Sequence, residues 1–273
     1  MEVKGNIQRE YNPAHPNYKR WQKAREISDD RAKFVEKIIS TEIIPEELII
    51  LDIGAGEGNT SRLFSQKNFV VSLDTKPERL KKISSTESLQ RVTGDGSKLP
   101  FKFDSFDIIL LQDVIEHLAA SEEVVEGFYR LLKPNGIIYL STPNRLSFFN
   151  IIADPHWGLP FLSLFKRNQI KKYFLKIFRK SDYNRNDIAE LLSLRKLNRL
   201  FSQKYSLNIY TKFSAKYLLD GGKGLVWSNF HLGLIKLINS LRMKNILIHV
   251  SNDKLGIVNK FVTPTFYLIL KKK

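Results

Sequence analysis

The sequence predicts an α/β protein, a mainly parallel sheet covered by helices on both faces. Three observations predict it. From about residue 46, short apolar runs alternate with stretches of helical length. The first run ends in an acid and passes straight into alternating glycines, LDIGAGEGN at 51–59. The 273 residues, 42% hydrophobic and 26% charged, suffice to bury a sizeable core.

Taken in order, strands are predicted over 48–53, 69–74, 90–93, 106–112 and 136–142, with crossover helices over 60–66, 77–84 and 121–132 and a Lys133-Pro134-Asn135-Gly136 turn after the last helix. Residues 15–40 precede the first strand with Trp21, Ala24, Phe34, Val35, Ile38 and Ile39 at helical spacing, which predicts a capping helix or helix pair. Beyond the fifth strand, an irregular segment 145–169 leads into IKKYFLKIFRK, then a Ser193-capped helix to 201, a strand near 206–213 and a closing strand in FYLILKKK. Residues 214–258 separate those last two strands as an insertion, helix-like over 232–248. The implied parts are an N-terminal helical cap (1–45), a core that holds a ligand (46–144) and a C-terminal part (145–273) with insertions at 145–190 and 214–258.

The chain has no cysteine, which excludes disulfides, thiolate zinc sites, iron–sulfur clusters and cysteine nucleophiles. Its start, MEVKGNIQREYNPAHP, lacks the apolar core of a secretory signal, so the cytoplasm is the expected location, with peripheral contact at the membrane's inner face allowed. Residues 146–165 are long enough for a membrane span, but Asn150, Asp154, Pro155, His156 and Pro160 interrupt them and fit a looped, partly buried segment better. The net charge of +16 is lopsided: residues 1–150 hold 21 Lys+Arg against 22 Asp+Glu, whereas 151–273 hold 23 against 6. An anionic partner therefore meets the second half.

A strand ending in Asp52 followed by Gly54-Ala55-Gly56-Glu57-Gly58 places a loop without obstructing Cβ atoms at the carboxyl edge of the sheet, where open parallel sheets bind flat, extended ligands. Dinucleotides and S-adenosyl-L-methionine both suit it. The dinucleotide fingerprint wants a glycine at the sixth place from Gly54, and Asn59 stands there. Strict glycine alternation after Asp52 favours S-adenosylmethionine. Asp74, 20 residues beyond Gly54 at the end of the second strand, can take the ribose hydroxyls of either.

Further on stand Gly94-Asp95-Gly96-Ser97-Lys98-Leu99-Pro100-Phe101, then FDSFDIILLQDVIEHL, then LLKPNGIIYLSTPN. With the glycine loop, these blocks resemble the class I S-adenosylmethionine-dependent methyltransferases, particularly the small-molecule, quinone and glycan O-methyltransferase branch. The resemblance is strong over 48–144 and weak over the Ser193 helix and the closing strands. It implies a Rossmann-like seven-stranded sheet and S-adenosyl-L-methionine as cofactor. It also implies Asp52, Gly54, Gly56 and Gly58 around the methionine end, Asp74 on the ribose, Asp95 on the adenine amino group and Gln112 near the methionine part. Structural roles stand beside these: Asp52 as a turn cap, Asp95 in an Asx turn, Gln112 as a surface amide.

Methyl transfer from a sulfonium is an in-line displacement in which positioning supplies much of the rate and a base assists. The base candidates are His117, in Asp113-Val114-Ile115-Glu116-His117, and His156, on the 145–169 segment where the family places its substrate lid. In some quinone O-methyltransferases the residues matching Asp113, Glu116 and His117 hold a divalent metal, with glutamate at the first place. Such trios also occur without one, and no metal is assigned. A small-molecule, glycan or lipid-linked acceptor is expected. DNA is not, because the family's Asn-Pro-Pro-Tyr or Asp-Pro-Pro-Tyr element is replaced by Gln112-Asp113-Val114-Ile115 and there is no cysteine for thiolate chemistry.

In 170–180, Ile170, Tyr173, Phe174, Ile177 and Phe178 share a helical face among lysines and arginines, extended on the N-terminal side by Phe161, Leu162, Leu164 and Phe165. Residues 161–180 thus read either as an interfacial helix on an anionic membrane or as a surface helix packed on the core. RNA is a third account, without a recognisable binding motif. The alternatives from other classes are an RNA methyltransferase using the basic half and a cofactor-binding membrane adaptor without transfer activity.

Overall fold

In a computed structural model, which describes residues 11–185, 187–226 and 229–273, the chain forms a seven-stranded sheet of order β3-β2-β1-β4-β5-β7-β6. Residues 1–10, on which much of the expectation from the chain's start rests, lie outside the described residues. The strands are β1 Ile49–Ile53, β2 Phe69–Asp74, β3 Leu89–Thr93, β4 Phe106–Gln112, β5 Leu132–Pro143, β6 Tyr205–Ile209 and β7 Thr265–Lys272. The first five run parallel, and β7 inserts antiparallel between β5 and β6. This is the expected mainly parallel architecture, with the start of β5 and the end of β6 moved by four residues each.

Strand side chains alternate between two cores, one on each face of the sheet. Leu51, Ile53, Ile109, Leu111, Ile138 and Leu140 enter one, and Ile50, Ile108, Leu110, Ile137 and Tyr139 the other. On the first face pack α5 (Glu122–Leu131) and α7 (Leu194–Phe201), through Val124, Phe128, Leu197 and Phe201. On the second lie α2 (Ser28–Ile39), α3 (Asn59–Phe64) and α4 (Pro77–Leu80), the first of which buries Phe34, Val35, Ile38 and Ile39 completely. Each such side chain contributes about 2 kcal/mol by leaving water. The helix before β1 is thus structural as well as positional. Its neighbour α1 (Tyr18–Glu26) buries no residue and lies over the sheet's carboxyl edge, lining the cavities there.

The strand expected over 206–213 ends at Ile209, and Thr211–Leu219 is helix α8 instead. The cause is distant in sequence: Asp253 Oδ1 accepts the Lys212 amide at 2.9 Å, and Thr211 Oγ1 donates to Asn259 Oδ1 at 2.5 Å. A carboxylate on the second helical amide is a cap, and no local pattern announces it. Strand β5 begins at Leu132 rather than 136, with a register shift opposite Phe106 to Ile108 that absorbs the Lys133-Pro134-Asn135-Gly136 turn.

The 145–165 segment is looped, with helix α6 (Phe148–Ile152) and a 3₁₀ turn at Leu162–Leu164. No helix among the described residues is long and apolar enough to cross a membrane. The stretch that follows is α-helical over Arg167–Gln169, π-helical over Ile170–Leu175 and α-helical again over Lys176–Phe178. Its apolar positions do not keep one face. Ile170, Phe174 and Leu175 are buried with Trp157, Leu162 and Ile188, while Tyr173, Ile177 and Phe178 are exposed. Bonds from i to i+5 widen the turn, so residues spaced for 3.6 per turn separate.

Candidate active site

The order reverses between β1 and β4, and at such a switch point the carboxyl ends of the strands frame a crevice. Three cavities of about 290, 550 and 220 Å³ adjoin there, and Trp21 lines all of them.

The glycine loop forms one wall. Gly54, Gly56 and Gly58 have φ of +72°, +57° and +78°. A Cβ on Gly54 would stand 2.4 Å from Val114 Cγ2, and one on Gly58 2.5 Å from Ile83 Cδ1. No other residue type fits both the angle and the space. The amides of Gly54 and Ala55 donate to Leu73 O at 2.7 and 3.0 Å, and the Gly56 amide donates to Asp74 Oδ2 at 2.9 Å. Asp74 Oδ1 accepts the Lys76 amide at 2.8 Å, so the carboxylate is held at the lip of the 550 Å³ cavity.

Asp52 is buried beneath the loop and accepts Ser61 Oγ at 2.6 Å; that hydroxyl in turn accepts from Ser72 Oγ at 2.7 Å. Burial, reinforced by Asp74 and opposed by the Ser61 bond, raises the Asp52 carboxyl to about 7. Asp95 lines the 550 Å³ cavity and also closes an Asx turn, its Oδ1 accepting the Ser97 amide and hydroxyl, each at 2.8 Å. Gln112 lines the first two cavities and accepts Thr60 Oγ1 at 3.3 Å. Every residue expected at the cofactor therefore faces the 290 or the 550 Å³ cavity. The wall offers backbone amides and carboxylates to a polar chain, and at Gly54 and Gly96 only glycine lets the backbone pack this closely on Val114 and Ile53, a Cβ on Gly96 standing 2.6 Å from Ile53 Cγ2. These residues fit S-adenosylmethionine.

The 220 Å³ cavity joins this wall to Pro155, His156 and Trp157 of the segment after β5. His117 and His156 border both it and the 550 Å³ cavity, with ring centroids 5.3 Å apart at 81°. His117 Nδ1 is 2.8 Å from Asp187 O; a carbonyl accepts only, so the proton sits on Nδ1 and Nε2 keeps its lone pair. Burial lowers His117 to about 4, with His156 adding to the effect. Burial likewise lowers His156 to about 4, Asp113 opposing and Arg185 and Arg20 assisting. Both imidazoles are neutral near pH 7.

Glu116 is buried. Its Oε2 accepts Thr142 Oγ1 at 2.9 Å, and its Oε1 accepts no hydrogen bond among the described residues, lying 3.9 Å from His156 Nε2. Burial first, then the nearby Asp113, raises its carboxyl to about 8. Asp113 turns the other way: although burial opposes it, Arg31 and Ser141 hold its carboxyl below the usual range. The Asp113, Glu116 and His117 trio is accordingly not the set brought together, because Asp113 is committed to Arg31. Ligand atoms of Glu116, His117 and His156 lie within 4.8 Å of one another, a donor set able to hold a divalent ion.

Packing fixes the segment that carries these groups. The Arg167 guanidinium donates to the carbonyls of Glu116, His117 and Leu118, each at 3.1 Å, and the Glu190 amide to Glu116 O at 2.8 Å. In the segment after β5, Asp154 Oδ1 accepts the His156 and Trp157 amides at 2.8 and 2.9 Å, while Arg20 donates to Asp154 O and Pro155 O at 3.2 and 2.7 Å. Trp21, Arg31, Arg185 and Asp187 line the site without being singled out as site residues by the sequence. They reach it from the N-terminal helices and from the stretch before α7, and no motif links those places.

Residues 51–140 match the family model described as a methyltransferase domain. The chain is similar to the ubiquinone biosynthesis O-methyltransferase of Caulobacter vibrioides, 32% identical over 107 residues that cover 37% of this chain and 42% of that one. It is similar to the 2-methyl-6-phytyl-1,4-hydroquinone methyltransferase 2 of Oryza sativa, 28% identical over 148 residues, 50% of this chain and 42% of the other. In both cases the match spans less than half of the relative. Among solved structures, a putative sarcosine dimethylglycine methyltransferase from Galdieria sulphuraria superposes with a TM-score of 0.53 at 15% identity, covering 91% of this chain and 88% of that one. A SAM-dependent methyltransferase from Thermotoga maritima gives 0.52 at 15% identity, covering 94% and 95%. At such identities these structures speak for the fold.

Proposed function

We propose, from the match of residues 51–140 to a methyltransferase domain and the cavities beside it, that the chain is a class I S-adenosylmethionine-dependent methyltransferase acting on an oxygen of a small-molecule, glycan or lipid-linked acceptor seated in the 220 Å³ cavity. The observation that carries this reading is the shared wall: His117 and His156 border both the cavity of Asp74 and Asp95 and the one beneath the lid.

On this reading Asp52, Gly54, Gly56 and Gly58 hold the methionine end, Gln112 lies beside it, Asp74 takes the ribose hydroxyls and Asp95 the adenine amino group. Bound there, S-adenosylmethionine supplies an electrophilic methyl group on a sulfonium. Trp21 and Trp157 wall the acceptor off from water and fix its approach, which is where most of the acceleration arises. As the oxygen gains a bond, its proton becomes strongly acidic, so a weakly basic neutral imidazole suffices to take it. On this reading His117 Nε2 takes that proton, a reading supported by the Nδ1 contact with Asp187 O that leaves Nε2 its lone pair. His156 can serve the same proton from the lid.

Incubating the protein with methyl-labelled cofactor and separated lipid, glycan, small-molecule and RNA fractions tests the reading. Label in one of the first three is expected, and His117→Ala is expected to slow its transfer by about a hundredfold. Label confined to RNA, or tight cofactor binding with no labelled fraction, would overturn it.

A further inference from the structure

Of the 22 large apolar side chains that are exposed among the described residues, 17 lie between 152 and 262, within the strongly basic 151–273. Exposure and positive charge therefore coincide. One group of these side chains is joined in space. Helix α6 presents Phe148 and Ile152 outward and rests on the turn at Val258–Val262, where Ser147 Oγ donates to Val262 O at 3.1 Å and Asn150 Nδ2 to Pro264 O at 2.7 Å. That turn exposes Phe261 and Val262. Phe161 joins them, its amide donating to Ile151 O at 2.7 Å.

Phe161 is the telling residue. It is 61% exposed and holds φ at +65°, a left-handed conformation unfavourable for a bulky side chain. The fold gains no burial of this ring in return for the strain, which points to a contact outside the chain. Lys260 borders the apolar group, its Nζ 5.1 Å from the Phe261 ring centroid, and Lys254 and Lys166 lie a few residues from it along the chain.

We propose that Phe148, Ile152, Leu159, Phe161, Phe261 and Val262 form a face that docks on an anionic lipid bilayer, with the neighbouring lysines against the headgroups. The pairing of exposed apolar groups with a lysine border is the chemistry of an interfacial anchor. Ile152, Leu159 and Val262 are aliphatic and offer nothing for a nucleic-acid base to stack on, which favours acyl chains over RNA. The face differs from the single 161–180 stripe expected from sequence, since Ile170 and Phe174 are buried. It also adjoins the acceptor cavity. Within 154–161 the chain turns His156 and Trp157 inward and Leu159 and Phe161 outward. Docking needs neither cofactor nor transfer, so it stands or falls apart from the proposed activity.

Flotation of the full chain with vesicles of phosphatidylcholine alone, or of phosphatidylcholine mixed with phosphatidylglycerol, tests it. Binding is expected to the anionic vesicles only, weakening by about tenfold or more from low to high salt. A Phe161→Ser, Phe261→Ser double variant is expected to lose about tenfold in vesicle affinity while its melting temperature and cofactor binding match the parent. Phe103→Ser, at an equally exposed ring in the first half of the chain, is expected to bind as the parent does. No binding to anionic vesicles at low salt would overturn the proposal. So would undiminished binding by the double variant, binding of single-stranded RNA in place of vesicles, or a self-association that the double variant abolishes.

Discussion

Arg31 and Asp113, 82 positions apart, form an ion pair that ties helix α2 to the residue immediately after β4, between the glycine loop and the 220 Å³ cavity. Asp113 holds φ at +53° there and also accepts Ser141 Oγ at 3.1 Å. The pair places one guanidinium in the walls of both the 290 and the 220 Å³ cavities.

Replacing Arg31 with Met leaves the Asp113 carboxylate with Ser141 alone. A loss of about 1–3 kcal/mol is expected, at the lower end because both side chains keep roughly a fifth to a quarter of their surface in water. Asp113→Asn in the same chain is expected to recover part of it. Urea unfolding of the two single variants and the double variant measures the coupling.

Gly58→Ala puts a methyl group 2.5 Å from Ile83 Cδ1 at φ +78°, and is expected to weaken S-adenosylmethionine binding by about a hundredfold, read by calorimetry. Gly127 is the contrast. It lies inside α5 with no atom near its added Cβ, so Gly127→Ala is expected to stabilise by about 0.5–1 kcal/mol and leave cofactor binding unchanged.

The Glu116 carboxyl, raised to about 8, binds a proton in the folded state that the unfolded chain has released above its ordinary carboxyl range. Its contribution is therefore present at low pH and lost as pH rises toward 8, at no more than about 1.4 kcal/mol per pH unit. Glu116→Gln keeps an oxygen for Thr142 and cannot ionise. The variant's melting temperature is expected to gain on the parent's steadily between pH 5 and pH 8.

His117 and His156, lowered to about 4, act at the acid end: the unfolded chain binds their protons first, so stability falls as pH drops from about 6.5 toward 4. A His117→Gln, His156→Gln double variant is expected to flatten that limb in the same melting series.

Asp253→Ala removes the carboxylate that accepts the Lys212 amide, and is expected to cost about 1 kcal/mol by uncapping α8. Hydrogen exchange at the first turn of that helix is expected to rise first, since a cap protects the amides nearest it.

Strands β2 and β4 were legible to the residue, because both faces of the sheet are covered and a run such as Ile108-Ile109-Leu110-Leu111 is wholly apolar between Asp107 and Gln112. The glycine loop was legible for a related reason: three residues at positive φ in five positions leave glycine little competition. Helix α8 was not, since its start depends on Asp253 and Asn259, more than forty residues away. Nor was the fate of 170–178, where a change from α to π pitch moved Tyr173 and Ile177 into solvent and left Phe174 against Trp157.

By itself the sequence determined the sheet, its crevice and the residues facing the cofactor's place, because these follow from periodicity, turn chemistry and spacing within about a hundred residues. Which side chains meet at the 220 Å³ cavity was decided only by the tertiary structure. Trp21 and Arg31 arrive from one end of the chain, Glu116 and His117 from the middle, and His156, Arg185 and Asp187 from beyond β5. Burial and charge, which tune Glu116 upward and both histidines downward, come into being only when those segments pack.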